Sequence, residues 1–431
     1  FNFILAKEIY PTKWAEGLRI AIPKGENDIR PITIEPMFGQ IFEIILEKRL
    51  WFLNNAFDRG DIYNGGFVKG SMTQDNMLIL LSCISKQLAI GKNLYVAFVD
   101  FKKAFKYINR TLLFYKIIKS GLSGRTINVL KDMYTKIKAR VKIGHKLFDW
   151  IIDDCGTNQG GPLSPAMFRK MLCDLRDYLC LSCGIIMNDD EILVHLLWAD
   201  DMILMSDSQE GLHKQIDGLL KFCSRFQLIV NTLKSKVMIF GKERCDMNFT
   251  FNGGNLEIVD SYKYLGVIFN CIHRQDSDIF KSMKTSTAEK ALRSCFAEVE
   301  KCSSIGRVTP KISLQLFYSF VAPVLEYGCE IWCKGKKIEE IEKIQLRYLK
   351  MILGVKRSTC SNAEIGRFHL YIRHKVRIIN YWLRITQLKD QSLVKKSYMM
   401  LKELDACGFN NWVSSVKSIL IDCNAFKYFD K

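Results

Sequence analysis

The sequence predicts an α+β protein followed by an all-helical region. Two apolar runs, Leu94–Val99 and Met202–Met205, have the composition of buried β-strands. Apolar residues then recur at helical spacing from Leu212 to Phe226, so strands and helices alternate along the middle of the chain. Beyond about residue 285 the spacing is helical throughout, as from Ile338 to Ile352, where Gly354 ends the pattern. This order is typical of an α+β architecture with a separate helical domain.

The composition indicates a folded, basic protein. The chain has 431 residues, enough for about two to four packed units. Apolar residues make up 48% and charged residues 25%, and there are only 8 prolines, which argues against long disordered tracts. Its 63 Lys and Arg residues exceed its 45 Asp and Glu residues by 18. This excess favours a polyanionic partner: nucleic acid first, and an anionic membrane surface second.

Three other classes of protein are not expected. The longest apolar candidate for a membrane span, Leu314–Tyr327, falls short of the roughly 18 residues that a spanning helix needs. The 15 cysteines show neither a disulfide framework nor the second ligand pair of a zinc site. The chain starts at Phe1 with no signal peptide, and we expect it to be part of a longer polypeptide.

A carboxylate ends the first strand, and a glycine-rich loop follows it. Leu94–Val99 leads directly into Asp100. The stretch from Cys155 to Pro165 contains three glycines and two prolines. Ser164 is a suitable N-cap and Pro165 a suitable first helical residue, so the loop is predicted to open onto an amphipathic helix that extends to Leu179.

Two further acids, Asp200 and Asp201, lie between the apolar runs Ile192–Leu197 and Met202–Met205. This pattern predicts a hairpin with the acids at its turn. No Lys or Arg lies between Ile192 and Leu204, so ionised carboxylates there need either solvent or a cation. Together with Asp100 they could hold two Mg²⁺ ions about 3.5 to 4 Å apart, an arrangement that serves phosphoryl transfer. Taken alone, the pair could equally be plain turn residues.

Five segments follow one another along the chain: Phe98–Phe105, Asn158–Pro165, Trp198–Asp201, Asn231–Lys236 and Tyr262–Gly266. In this order they resemble the motifs of reverse transcriptases, and more narrowly those of non-LTR (LINE-type, jockey-like) retrotransposons. Additional segments are similar to the family's fingers (Ile20–Gly25, Arg30–Ile32 and Gly66–Asp75) and thumb (Pro323–Gly328 and Ile352–Lys356). The resemblance covers roughly residues 15 to 385.

This resemblance implies a right-hand polymerase with a ferredoxin-like palm and a helical thumb. The fingers would occupy residues 1–93. The palm would occupy residues 94–280, with an interleaved finger segment at about 112–155. The thumb would occupy residues 281–390, and residues 391–431 would be a C-terminal extension.

The resemblance also implies roles for the acids and for one aromatic residue. Asp100, Asp200 and Asp201 would bind two Mg²⁺ ions, with the carbonyl of Phe101 as an added ligand. Phe105 would be the steric gate that leaves no room for a ribose 2′-OH and so selects deoxynucleotides.

Five other residues would serve the incoming nucleotide. Gln159 and Gly160 would line its pocket, and Lys24 and Arg30 would neutralise its triphosphate. Lys234 is a candidate proton donor to the leaving pyrophosphate, although a solvated surface lysine is an equally good interpretation.

A basic stripe marks the region matched to the thumb. Lys336, Lys343, Arg347 and Lys350 follow at spacings of seven, four and three, which places them on one side of a helix. A solvated face is the ordinary explanation of such a stripe. In a thumb beside a template–primer duplex, the same residues would contact phosphates.

The predicted function is therefore RNA-directed DNA polymerisation, with an RNA template, a DNA primer and deoxynucleoside triphosphates as partners, in a ribonucleoprotein of nucleus and cytoplasm. Lys106 stands where the family usually has an aspartate, and Trp198 where Tyr or Phe is commoner. The family's endonuclease is absent from this chain. The alternatives are an inactive copy that only binds RNA, and a polymerase of the group II intron maturase or telomerase type. The thumb segment after Pro323 favours the LINE type over these two polymerases.

Overall fold

A computed structural model describes most of the chain. The described residues are 1–23, 29–57, 62–122, 124–187, 191–241, 248–271, 280–281, 293, 309–332, 337–356 and 368–429. The helices are α1 (Asn2–Lys7), α2 (Met37–Phe57), α3 (Thr73–Ala89), α4 (Arg110–Lys119), α5 (Gly124–Lys136), α6 (Ser164–Leu172), α7 (Gln209–Phe226), α8 (Pro310–Leu316), α9 (Ala322–Glu326), α10 (Cys329–Trp332), α11 (Lys337–Leu353), α12 (Leu370–Thr386), α13 (Leu393–Ala406) and α14 (Trp412–Asp422).

All but one of the described strands lie before residue 271. They are β1 (Glu16–Pro23), β2 (Ile29–Ile34), β3 (Leu94–Val99), β4 (Lys138–Ile143), β5 (Lys146–Ile152), β6 (Ile185–Ile186), β7 (Ile192–Leu193), β8 (His195–Trp198), β9 (Asp201–Ser206), β10 (Lys236–Phe240), β11 (Phe249–Phe251), β12 (Gly254–Ile258), β13 (Ser261–Tyr264), β14 (Val267–Asn270) and β15 (Phe280–Lys281). The predicted α+β class is confirmed.

A central sheet organises the described part of the molecule. Its strand order is β11-β12-β10-β3-β9-β8, and the neighbours from β10 to β8 are all antiparallel. In chain order these four strands, with helices after β3 and after β9, form the β-α-β-β-α-β arrangement of a ferredoxin-like unit. The ferredoxin-like palm that the sequence predicts is therefore present.

Alternation along β3 gives the sheet two buried faces. Val96 and Phe98 belong to one hydrophobic core, while Ala97 and Val99 belong to the other. Helix α3 packs on the first face and α7 on the second. Asp100, the next residue after Val99, continues the alternation and falls on the α3 face.

A second sheet stands beside the first. Its order is β2-β1-β4-β5, with β1 and β2 antiparallel and β1 and β4 parallel. This sheet contains part of the chain predicted as fingers. In the described ranges, no helix is both long and apolar enough to cross a membrane.

One predicted helix differs from the structure at both of its ends. Helix α6 starts at Ser164 rather than at Pro165, and it ends at Leu172, where a short 3₁₀ turn at Leu175–Tyr178 replaces the predicted continuation to Leu179. Apolar spacing continues across this break because Leu175 and Leu179 still face the core. The apolar spacing therefore predicted a longer helix than the structure contains, because buried residues continue after the helix has ended.

The C-terminal helices share the core of the palm. Helix α13 packs along α3, and Tyr398, Leu401 and Trp412 are buried in the same cluster as Val96 and Phe98. The residues that the sequence predicted to be a C-terminal extension therefore pack on α3, the helix that covers one face of the central sheet.

A buried ion pair fastens α12, the helix before this segment, to α3. Asp75 is 4% exposed and caps the first turn of its own helix through the backbone N–H of Met72, at 2.9 Å. Its two oxygens also accept hydrogen bonds from the guanidinium of Arg384 at 2.7 and 2.8 Å and from the hydroxyl of Tyr381 at 2.9 Å. The contact joins residues about 309 positions apart.

We expect Arg384→Met to lower the free energy of unfolding by about 3 kcal/mol, because it leaves a buried carboxylate without its cation. The shift of the urea unfolding midpoint measures the loss. The matched control is Lys375→Met on the same helix, whose partner Asp422 is exposed, so that pair contributes about 1 kcal/mol or less. Equal midpoints for the two variants would contradict the expectation.

Candidate active site

Two carboxylates stand side by side at the end of the central sheet. Val99 of β3 pairs with Met202 of β9, so the next pair in this register is Asp100 and Asp201. Side chains directly opposite each other on antiparallel strands have Cβ atoms about 4.5–5.5 Å apart. Asp100 is half-buried and Asp201 is exposed, so both are accessible to a ligand.

The third acid lies in the turn of the adjoining hairpin. Trp198 pairs with Asp201, which leaves Ala199 and Asp200 as a two-residue turn. Ala199 has a φ of 59°, a left-handed conformation that is strained for a residue other than glycine and marks a turn under external constraint. The predicted hairpin with acids at its turn is confirmed.

Residues before and within α3 hold this turn in place. Gly65 donates its backbone N–H to the carbonyl of Leu197 at 3.0 Å, and the Asn76 side chain donates to the same carbonyl at 3.0 Å. A Cβ on Gly66 would lie 2.2 Å from the backbone nitrogen of Ala199, so only glycine fits there. The segment Gly66–Asp75, which the sequence matched to the fingers, therefore packs directly behind the acidic turn.

A tyrosine faces both strand-end acids. Tyr262 of β13 stacks on Phe98, with ring centroids 4.2 Å apart. Burial, together with the charges of Asp201 and Asp100, raises the pKa of Tyr262 to about 12. Both carboxylates thus act on one phenol, as expected for neighbouring side chains on the α3 face.

The segment from Asn231 to Lys236 orients Asp100. The Asn231 side chain donates to Oδ2 of Asp100 at 3.1 Å, and its backbone N–H donates to the Asp100 carbonyl at 2.7 Å. The backbone N–H of Asp100 donates to the hydroxyl of Ser235 at 3.0 Å. Sequence reasoning singled out this segment but not Asn231 itself. Lys234 is exposed, and its role as a proton donor stays a prediction.

A cavity of the described structure brings together two of the predicted nucleotide residues, and Gly160 follows the second of them. Phe105 and Gln159 line it, and the backbone carbonyl of Gln159 accepts a hydrogen bond from Thr33 of β2 at 2.8 Å. Gly160 has a φ of 117°, and a Cβ there would lie 2.7 Å from the Thr33 carbonyl oxygen. The ring of Phe105 stacks on Phe168 of α6, with centroids 4.7 Å apart. The glycine-rich loop is thereby held against the second sheet.

The structure describes one of the two residues that the resemblance assigns to the triphosphate. Arg30 is an exposed residue of β2 that does not line this cavity, and Lys24 lies outside the described residues. The cavity is lined instead by Arg19 and by Arg110, which the sequence reasoning missed. Arg19 forms an ion pair with Asp153, a contact across 134 residues that no local pattern indicates.

The basic stripe follows α11. Lys343 and Arg347 are exposed and Lys350 is half-buried, while Ile344 and Tyr348 on the same helix are buried. Lys336 lies outside the described residues. The stripe therefore faces away from the packed side of the helix, as the spacing predicts.

The acids fit an oxygen-preferring divalent cation. Within the described ranges, no three His, Cys, Asp or Glu side chains are grouped closely enough to hold an ion by themselves. Mg²⁺, however, is commonly held by one or two carboxylates together with substrate phosphates. The paired carboxylates of Asp100 and Asp201 match that donor set, and the carbonyl of Phe101 stays a predicted ligand.

The family model described as reverse transcriptase (RNA-dependent DNA polymerase) matches residues 22–269, more than half of the chain. The chain belongs to the reverse transcriptase family. Members of this family are metal-dependent polymerases of the right-hand type, so the predicted family and fold are confirmed. The match runs from β1 to β14 and includes all five motifs that carry the resemblance.

Relatives with curated descriptions are encoded by retrotransposons. The chain is 26% identical over 286 residues to a retrovirus-related Pol polyprotein from the type-1 retrotransposable element R2 of Nasonia vitripennis, covering 63% of this chain and 27% of that protein. It is 21% identical over 372 residues to the RNA-directed DNA polymerase from the mobile element jockey of Drosophila funebris, covering 82% and 39%. The chain therefore spans less than half the length of these relatives.

Solved telomerase structures are also similar. A Candida albicans telomerase in complex with a fragment of telomeric RNA aligns over 100% of this chain and 68% of its own, with 14% identity and a TM-score of 0.46. An apo telomerase from Candida tropicalis aligns over 92% and 72%, with 14% identity and a TM-score of 0.46.

Proposed function

We propose that this chain is the RNA-directed DNA polymerase of a non-LTR retrotransposon, extending a DNA primer on an RNA template. The observation that carries the proposal is the in-register pair of Asp100 and Asp201, together with the cavity lined by Gln159 and by Phe105, which follows Asp100 by five positions. A polymerase needs both parts: carboxylates that hold the cations acting on the reacting phosphate, and a pocket that fits a nucleoside.

The acids are proposed to hold two Mg²⁺ ions, with Asp200 and the Phe101 carbonyl completing the protein ligands. Bound divalent cations would supply the electrostatic stabilisation of the charge that develops during phosphoryl transfer. Asn231 keeps the Asp100 carboxylate in one orientation through the hydrogen bond to Oδ2. Fixing that carboxylate before substrate binds lowers the reorganisation that the reaction requires.

The reaction is attack of the primer 3′-oxygen on the α-phosphorus of a deoxynucleoside triphosphate. The new bond joins that oxygen to phosphorus, and the bond to the bridging oxygen of pyrophosphate breaks. Lys234 is proposed to give a proton to the leaving pyrophosphate. The ring of Phe105 is proposed to lie under the sugar, with Gln159 and Gly160 at the base pair. The role of Lys24 and Arg30 at the triphosphate stays a prediction from the resemblance.

Magnesium-dependent primer extension on an RNA template tests the proposal. We expect incorporation of deoxynucleotides that stops when the metal is chelated. An inactive copy that only binds RNA is the competing possibility, and Lys106 is the residue that suggests it. Binding of RNA with no extension at any magnesium concentration would favour that alternative over the polymerase.

The basic stripe on α11 is proposed to contact the template–primer duplex. Changing Lys343, Arg347 and Lys350 together to Gln should weaken binding at all sequences and flatten the slope of log affinity against log salt by about two to three. A salt titration of duplex affinity measures this slope.

A control with three basic residues along one helix is available on α7. Lys214, Lys221 and Arg225 are exposed there, on a helix that packs against the opposite face of the sheet from the acids. Their replacement by Gln should change the slope by less than one. Equal slopes for both triple variants would mean that the stripe on α11 faces only water.

A further inference from the structure

A pair of buried carboxyl groups lies under the glycine-rich loop. Glu35 follows β2, and Glu43 is in the second turn of α2; they are 7% and 3% exposed. Acidic side chains are rarely this buried without a partner, because removing an ionised carboxylate from water costs several kcal/mol. The sequence gives no reason to expect either residue inside.

Both carboxyl groups bind the loop. The side-chain amide of Asn158 donates to Oε1 of Glu35 at 2.7 Å, and the backbone N–H of Leu163 donates to Oε2 of Glu43 at 3.1 Å. Asn158 and Leu163 bracket Gln159, Gly160 and Gly161. The two glutamates therefore hold the two ends of the segment that borders the proposed nucleotide pocket.

The loop rests directly on the pair. A Cβ on Gly161 would lie 2.9 Å from Oε2 of Glu43 and 3.0 Å from Oε1 of Glu35, so the glycine lets the backbone come into contact with the carboxyl groups. On the side of the loop that faces the second sheet, the backbone N–H of Thr33 holds the Gln159 carbonyl at 2.8 Å. The Gln159–Gly160 peptide therefore has Thr33 on one side and the two glutamates close to the other.

We infer that Glu35 and Glu43 are positioning residues for nucleotide binding, which together keep the loop from Asn158 to Leu163 in the conformation that accepts the incoming nucleotide. The inference rests on the proposed polymerase function. Neither glutamate lines the cavity, so they act through the loop rather than by touching the substrate.

A single shared proton makes this arrangement possible. Burial raises the pKa of Glu43 well above its ordinary range, and the neighbouring Glu35 carboxyl group raises it further, both by its charge and by a hydrogen bond between the two side chains. A protonated Glu43 can donate to the Glu35 carboxyl group, whose Oε2 is buried and accepts no hydrogen bond in the described structure. The other titratable groups that face the pair are the phenols of Tyr10 and Tyr134, whose pKa values are raised by burial and by both glutamates.

The sign of the pH effect follows from the raised pKa. The folded protein binds this proton more tightly than the unfolded chain does, so its contribution is complete at pH values below the ordinary glutamate pKa. The contribution is lost as the pH rises towards the raised pKa of Glu43. Above that pKa, two adjacent carboxylates repel each other beneath the loop.

Two substitutions at Glu43 test the inference in the full chain. Glu43→Gln supplies a permanent N–H donor to Glu35 and keeps an oxygen for the Leu163 N–H, so the KM for deoxynucleotide should stay within about twofold of the parent. Glu43→Leu keeps the volume and removes both hydrogen bonds, so KM should rise at least about tenfold, with a smaller change in kcat, since about 1.4 kcal/mol corresponds to a factor of ten. Glu47→Leu, one turn further along α2, is the matched control.

The pH profile provides a second measurement. The ratio of parent KM to Glu43→Gln KM should increase as the pH is raised, because only the parent can lose the proton. If Glu43→Leu does not fold, Glu43→Gln decides the matter: a tenfold rise in its KM, or a ratio independent of pH, overturns the inference.

Amide hydrogen exchange separates this inference from the polymerase proposal. In Glu43→Leu the amides between Asn158 and Leu163 should exchange at least about tenfold faster than in the parent and in Glu43→Gln, whether or not the protein extends a primer. Unchanged exchange of these amides in Glu43→Leu would contradict the positioning role. Faster exchange together with an inactive parent would leave the positioning role standing and reject the polymerase.

Discussion

Primer extension is expected to fall by at least about 10³-fold when Asp201 is replaced by Asn. The side chain keeps its shape but loses the charge that pairs with a divalent cation, and such a ligand contributes several kcal/mol to stabilising the transition state, where about 4 kcal/mol corresponds to 10³ in rate. Asp201 is exposed at the start of β9, so the substitution removes no buried contact. Single-turnover extension on an RNA template measures the loss.

The control for this variant is Asp217→Asn, an exposed aspartate on α7, which should extend at the parental rate. Duplex affinity should be nearly unchanged in both variants, because the catalytic acids are proposed to act through bound cations on the reacting phosphates rather than on the backbone of the duplex. Substantial extension by Asp201→Asn would remove this residue from the catalytic set and, with it, the observation on which the proposed function depends.

Discrimination against ribonucleotides is expected to weaken at least about tenfold in Phe105→Val, which corresponds to about 1.4 kcal/mol. The Phe105 ring is half-buried, stacks on Phe168 and forms part of the cavity wall, so its truncation opens space where a 2′-OH would otherwise collide. The ratio of kcat/KM for a ribonucleotide to that for the matching deoxynucleotide is the quantity to measure.

Tyr107→Val is the matched control, since Tyr107 is an exposed aromatic residue two positions further along the same loop and does not line the cavity. It should leave the ratio unchanged. An unchanged ratio in Phe105→Val as well would mean that another residue selects the sugar.

The sequence predicted the parts of the site that depend on local pattern. An apolar run that ends in Asp100, a hairpin with Asp200 and Asp201 at its turn, and a glycine-rich loop before a helix all have short-range signatures, and each is present in the structure. Asp100 and Asp201 could be paired only by resemblance, because register between strands a hundred residues apart is set by packing.

The missed residues act through long-range contacts. Asn231, Glu35 and Glu43 each find their partners more than 100 residues away, so nothing beside them in the sequence indicates a role. The burial of Trp412 in the palm core was missed for the same reason. Amphipathic helices such as α13 show which face is apolar but not which distant helix will cover it.

The buried ion pair between Asp75 and Arg384 also affects how the chain can fold during synthesis. At roughly 5–20 residues per second, about 15 to 60 s separate the appearance of the two residues on the ribosome. Until α13 and α14 emerge, the nascent palm presents the apolar face of α3 to solvent. We therefore expect fragments that end after the thumb to aggregate or to recruit chaperones, and the palm to complete its folding only after α14 has emerged.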